Sequence, residues 1–187
     1  DNRLSLFYPK FRELIIDGFI NIIKEKNIRP DIIAGTPTAG IPHGMLLANK
    51  LNLPFIYPRK SQKDHGLKNK IEGIQNSTQL KCKKVLLIED LISTGKSSVE
   101  AVNILKENGA EVNYCLSIFT YGFKKADEYF RENNCNYYSI LTFEKLVSTL
   151  EENKYFSKNE IKLLREWQID PFGWQDKFGF VDLTQSR

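Results

Sequence analysis

Short apolar runs that do not alternate with polar residues, interleaved with helical patterns, restrict this chain to one architecture. The runs are Asp31-Ile-Ile-Ala-Gly-Thr36, Pro54 to Tyr57, Lys84-Val-Leu-Leu-Ile-Glu89, Val112 to Tyr121 and Tyr137 to Leu141. Between Pro9 and Asn27, the residues Phe11, Leu14, Ile15, Phe19, Ile22 and Ile23 recur at helical spacing. Gly40 to Asn52, Thr94 to Asn108 (stopped by Gly109), Lys124 to Asn134, Phe143 to Asn153 and Ser157 to Trp167 also read as helices. A strand apolar on both sides needs cover on both sides, so the pattern predicts an α/β fold: a parallel, Rossmann-like sheet with helices on both faces. With 187 residues, the expectation is a single domain over 1–187. Ligands in such folds sit beyond the carboxyl ends of the strands. Three segments project there: Gly35 to Gly40, Arg59 to Gly73 and Glu89 to Ser97. Ser61 to Ser77 offers little apolar material beyond Leu67, Ile71 and Ile74, and its length predicts a functional loop.

Composition narrows the function classes. No apolar run approaches the roughly 20 residues of a membrane span. The first residues, Asp1-Asn-Arg3, are too polar for a signal peptide, and the absence of an initiator Met leads us to expect further sequence upstream. Cys82, Cys115 and Cys135 are scattered, and His43 and His65 lie far apart, so neither a metal cage nor a disulfide framework is expected. A cytoplasmic location follows as an expectation. The net charge of +4 would suit an anionic small molecule or RNA and decides nothing alone.

The sharpest signal is Val85-Leu-Leu-Ile-Glu-Asp-Leu-Ile-Ser-Thr-Gly-Lys-Ser-Ser98, where two carboxylates end a buried strand and a Ser-Thr-Gly turn opens a helix. The amides of Ser93, Thr94, Gly95, Lys96 and Ser97 would form an anion nest at the positive end of the helix dipole, suited to a 5′-phosphate. Glu89 and Asp90, expected at a solvent-facing strand end, could accept hydrogen bonds from the 2′- and 3′-hydroxyls of a ribose. Gly95-Lys96-Ser97 imitates the end of a nucleotide-binding P-loop. That motif needs a glycine five positions before Gly95, where Asp90 stands, and a carboxylate there would repel a triphosphate. Glu-Asp ahead of a capping residue is common by itself; the combination with the apolar strand and glycine turn is not.

A second cluster, Tyr57-Pro-Arg-Lys-Ser-Gln-Lys-Asp-His-Gly66, gathers Arg59, Lys60, Lys63 and His65, with Lys68 and Lys70 following. Such a loop could be no more than a solvated lysine-rich surface. Its place after a strand, beside the acidic pair, favours cations that close over a polyanionic leaving group and exclude water.

The acidic pair with its turn resembles the PRPP (phosphoribosyl pyrophosphate) signature of type I phosphoribosyltransferases. Arg59-Lys-x-x-Lys-x-His-Gly followed by Ile71-Glu-Gly73 resembles the flexible catalytic loop of orotate phosphoribosyltransferases. Ala34-Gly-Thr-Pro-Thr-Ala-Gly-Ile-Pro42 is similar to that family's pyrophosphate loop. The resemblance runs from about Asp1 to Trp174 and implies the type I phosphoribosyltransferase fold. It implies orotate plus PRPP giving orotidine 5′-monophosphate and pyrophosphate, a step of pyrimidine synthesis. Lys60, Lys63, His65 and Asp90 would be catalytic. Arg59, Glu89, the segment Leu91, Ile92, Ser93 to Ser97, and Thr36, Thr38, Ala39 and Gly40 would join them in binding substrate, with Ser93 also touching orotate. Mg2+ would be bound mainly through PRPP, with no protein side chain as metal ligand. A homodimer with shared active sites is implied, as is an orotidine-monophosphate decarboxylase as a candidate partner; nucleic acid and membrane are not.

Three departures stand out. Ala39 replaces a Lys that some members carry, Thr120-Tyr121 replaces an Asp-Arg pair, and the family's N-terminal hood would lie partly before residue 1. The rivals are a purine phosphoribosyltransferase and a non-catalytic regulator of the same fold that binds PRPP and RNA. The basic loop disfavours the first; mixed charges along Glu151, Glu152, Lys154, Lys158 and Glu160, in place of a basic stripe, disfavour the second. His43 is expected at the surface or as a cap, Trp167 and Trp174 as anchors of the last helix, and Cys115 in the core.

Overall fold

The computed structural model describes residues 1–59, 70–171, 173 and 174. Its strands are β1 (Ile32–Gly35), β2 (Phe55–Pro58), β3 (Ile71–Glu72), β4 (Lys84–Ile92), β5 (Glu111–Thr120) and β6 (Asn136–Thr142). They form one sheet in the order β3-β2-β1-β4-β5-β6. Pairing is parallel throughout except between β2 and β3. The helices are α1 (Pro9–Glu25), α2 (Gly40–Leu51), α3 (Lys96–Glu107), α4 (Lys124–Glu132), α5 (Phe143–Glu152) and α6 (Lys158–Ile169), preceded by a 3-10 turn over Asn2–Phe7.

Local chemistry sets most of the helix starts. Pro9 opens α1 at a position where its missing N–H costs nothing. The Thr142 hydroxyl accepts the Lys145 amide at 3.2 Å to open α5, and Ser157 with Glu160 forms a reciprocal capping box for α6. Alternation along β4 then divides the core. Val85 and Leu87 join Val102, Leu105 and Phe130 from α3 and α4 on one face. Leu86 and Ile88 join Phe19, Ile23 and Leu47 from α1 and α2 on the other. Both faces are buried, as the non-alternating runs require. Cys115 is fully buried in the core, as expected. Beyond β6, Trp167 anchors α6, with ring centroids 5.4, 5.9 and 5.3 Å from those of Tyr121, Phe123 and Phe143.

The structure departs from the sequence reading in three places. β4 does not stop at Glu89 but runs to Ile92, because β5 continues alongside it, pairing Glu89 with Ser117, Leu91 with Phe119 and Ile92 with Thr120. α3 begins at Lys96, two residues later than the apolar pattern indicated, because Gly95 takes φ +79°, a left-handed turn outside the helix. The segment read as loop from Ser61 to Ser77 contains β3, whose Ile71 is buried and sits opposite Pro58 in an antiparallel pair.

Phe130 supports the turn ahead of α3. It is 1 % exposed, its ring lies 4.7 Å from that of Tyr137, and a Cβ on Gly95 would approach its Cε2 to 3.2 Å. Phe130→Ala should therefore cost about 3–5 kcal/mol of stability. Urea unfolding checks this, and an unchanged midpoint would contradict the packing described.

Candidate active site

Glu89 follows Leu87 toward α3, where Ser98 meets it, while the neighbouring Asp90 carboxyl lies close enough to be felt both at Glu89 and at His43 of α2. Glu89 is 4 % exposed, and its Oε2 accepts the Ser98 hydroxyl at 2.9 Å. The Asp90 amide donates to its Oε1 at 3.0 Å. This corrects the expectation of two solvent-facing acids: Asp90 is half-buried, whereas Glu89 is held inside by the first turn of α3. Burial, reinforced by the Asp90 side chain, pushes the Glu89 carboxyl from 4.5 up to about 7.

After Ile92 the chain turns through Ser93, Thr94 and Gly95, and the left-handed Gly95 places the start of α3 directly beyond the acidic pair. First-turn amides have no carbonyl partner inside their own helix, so this end of α3 presents donors and a positive dipole end. This helix start falls within the Ser93–Ser97 segment singled out in the sequence, a few residues past Asp90 along the chain. Leu91 and Ile92 serve mainly as strand residues, with Ile92 buried.

The first loop is pinned to the same strand. Thr36 donates its amide (2.9 Å) and its hydroxyl (3.3 Å) to the Ile88 carbonyl, and Gly40 N–H returns to Thr36 O at 3.0 Å. Gly40 is required, because a Cβ there would collide with the Ile88 carbonyl oxygen. Thr38 is left exposed at the tip and Ala39 is buried. Arg59 opens the second segment. Its amide donates to Lys70 O at 2.8 Å and its guanidinium pairs with Glu72 at 2.9 Å. Thr36, Pro37, Arg59 and Lys70 line a groove of about 410 Å³ with Ser97, Glu100 and Asn103 along α3, so the first two segments face the start of that helix; the acidic pair is not part of this lining. Lys60, Lys63 and His65 lie outside the described residues.

Other residues of this region carried no sequence signal of their role, or were misread. Asn2 donates its side-chain amide to the Asp90 carbonyl at 2.9 Å, tying the N-terminal turn to the acidic pair. Ser98 is the partner of Glu89. His43, expected at the surface, is 1 % exposed, because it shares a face of α2 with Gly40 and that face rests on β4. Burial lowers its pKa, partly opposed by the charge of Asp90. Thr120, where some relatives of the resembled family carry Asp, is buried and structural, donating to Ile92 O at 3.2 Å and accepting the Gly122 amide at 3.1 Å.

Among the described residues no three His, Cys, Asp or Glu side chains gather into a metal cage. With Glu89 engaged by Ser98, Asp90 is the carboxylate left for a ligand. That set fits Mg2+ bound largely by substrate oxygens and water, the ion's usual habit.

A mostly parallel sheet with an acidic pair and a glycine-turned helix start at the end of its central strand defines a class, and the sequence agrees. Residues 8–176 match the phosphoribosyl transferase domain family, and the chain belongs to it. It is 45% identical over 175 residues to the orotate phosphoribosyltransferase of Streptococcus agalactiae, covering 94% of this chain and 82% of that one. It is 47% identical over 168 residues to the enzyme of the same name from Staphylococcus aureus, covering 90% and 81%. The crystal structure of orotate phosphoribosyltransferase from Aeropyrum pernix shares the fold, with a TM-score of 0.69, 24% identity and 84% coverage of both chains.

The Glu89 environment has a measurable signature. A carboxyl whose folded pKa lies above its unfolded value favours folding below the unfolded pKa, and that contribution fades as pH rises through the folded one. Wild-type stability should therefore fall as pH climbs from 4.5 to about 7. Glu89→Gln, which removes the ionisation and keeps an acceptor for Ser98, should flatten this slope and melt higher than wild type at pH 8. Thermal melts across the window check it; parallel curves for the two proteins would overturn the assignment.

Proposed function

We propose that the chain is an orotate phosphoribosyltransferase, converting orotate and PRPP to orotidine 5′-monophosphate and pyrophosphate in pyrimidine synthesis. The observation that carries this reading is the acidic pair joined to the Ser93–Ser97 nest at the end of β4. It lies within a chain 45% identical to an enzyme of that name over 94% of its length. The nest and the α3 dipole hold the 5′-phosphate, and the Asp90 carboxylate accepts ribose hydroxyls. Glu89, locked by Ser98, fixes the strand end from behind. Backbone amides of the Thr36–Gly40 turn meet the diphosphate, with Arg59 on the same rim. The C1–O bond breaks with its electron pair leaving on pyrophosphate, an orotate ring nitrogen attacks C1 of the oxocarbenium-like centre, and the proton of that nitrogen passes to the departing pyrophosphate or to water. Lys60, Lys63 and His65 neutralise the departing charge, and closure over the site keeps water from capturing the sugar. Mg2+ bound to PRPP supplies further charge neutralisation.

We propose a homodimer as the working unit. Phe7, Tyr8, Phe11, Leu14 and Met45 are 50 % exposed or more, an apolar surface on the N-terminal turn, α1 and α2 that a second subunit would cover. A cytoplasmic setting accords with three free cysteines. No described helix is long and apolar enough to cross a membrane. An orotidine-monophosphate decarboxylase, free or fused, is the partner that would consume the product.

The direct test is PRPP-dependent loss of orotate absorbance with purified protein. A purine phosphoribosyltransferase or a non-catalytic regulator would give no such signal. Within an active enzyme, Lys63→Ala should lower kcat by about 10²–10³, since a donor to developing charge acts mostly in the transition state. A raised KM for PRPP with unchanged kcat would contradict that role.

Shared sites give a separate outcome. One inactive variant lacks Lys60 and Lys63 and a second carries Asp90→Asn; mixed dimers would contain one intact site. Equal mixing under conditions of subunit exchange should restore about a quarter of wild-type activity, since about half the dimers are mixed and each regains one of two sites. A mixture as inactive as its parents, with exchange confirmed, rules out sharing.

A further inference from the structure

His43 lies in the first turn of α2 and is 1 % exposed, yet its Nδ1 finds no hydrogen-bond partner among the described residues. An unpaired buried nitrogen costs stability that a leucine in the same space would not. What the ring faces explains the arrangement. Gly40, one helical step earlier on the same face, is pressed so close to β4 that a Cβ would stand 3.3 Å from Glu89 Cα. Asp90 is the next residue along β4 from that contact. The charge of Asp90 is felt at the imidazole, while burial keeps the ring neutral. Asp90 is meanwhile fixed along its main chain by Asn2, so its peptide is held and the direction of its carboxylate is left to its neighbours.

We propose that His43 is a positioning residue for Asp90: through Nδ1 its neutral imidazole donates to the Asp90 carboxylate once ribose is bound, holding it in the orientation that accepts the sugar hydroxyls. The proposal rests on the reading of Asp90 as a ribose acceptor. It adds a residue from α2, behind the substrate, to a site otherwise built from β4 and its turn. The contact is a neutral donor to a carboxylate, so it steers the acid without cancelling its charge.

Three substitutions separate this role from mere packing. Asparagine places its amide near the position of Nδ1, glutamine near that of Nε2, and leucine offers neither. PRPP affinity by calorimetry with Mg2+ present, kcat and KM, and the melting temperature are measured for each variant and for wild type. His43→Leu and His43→Gln should lose about tenfold in PRPP affinity, and His43→Asn should stay within about threefold of wild type. His43→Leu should melt at or above the wild-type temperature, since it removes an unpaired buried nitrogen. Wild-type affinity in His43→Leu overturns the proposal, as does rescue by glutamine instead of asparagine. A loss of affinity that tracks the melting temperature in all three variants also overturns it, because it marks a packing role. A wild-type protein that neither binds PRPP nor consumes orotate sinks the underlying functional reading instead.

Discussion

Two hydrogen bonds from Thr36, one from its amide and one from its hydroxyl, end on the Ile88 carbonyl, and the missing side chain at Gly40 lets α2 close onto the same peptide. Through this contact the loop after β1 and the acidic end of β4 become one rigid piece. The Thr36–Gly40 turn and the Glu89–Asp90 pair then keep a fixed spacing, as the near-attack geometry of the proposed reaction needs. Shifting either strand would unpair a buried carbonyl and drive α2 into β4. Rigidity here comes from backbone groups and from the absence of an atom, and side-chain chemistry is added on top.

That added chemistry works against folding. Glu89 is buried as an acid beside a second acid, and His43 keeps a ring nitrogen unpaired. Each lowers stability by an amount that an apolar or amide residue would recover. The cost is spread over a core in which both faces of the sheet are covered, from Phe19 and Leu47 on one side to Leu105 and Phe130 on the other. Strain and unpaired groups collect where function requires them, and the rest of the fold follows the local rules of pattern and capping.

The architecture was legible because Lys84-Val-Leu-Leu-Ile-Glu89 and its companions carry their burial on both faces in the sequence itself. The three projecting segments followed from the rule that parallel sheets bind ligands at their carboxyl ends. What escaped was set by contacts distant in sequence. β4 extends past the acids because β5 keeps pairing with it, and β3 is only two residues long, too short to leave a pattern. Burial of Glu89 depends on Ser98 arriving from a helix whose start is fixed by the left-handed Gly95. For His43, the spacing of three from Gly40 was the usable clue, and it acquires meaning only when that face is known to meet β4.

The pairing of Tyr57 with Glu72 and Pro58 with Ile71, closed by the Arg59 amide on Lys70 O, brings the two ends of the intervening segment together at the sheet edge. Where the ends of a connection are held in place, doubling its length costs only about 0.6 kcal/mol of closure entropy. Added length between Arg59 and Lys70 would therefore cost the scaffold little. In this fold the length of chain between the second and third strands and the sheet that anchors it are free to evolve at different rates.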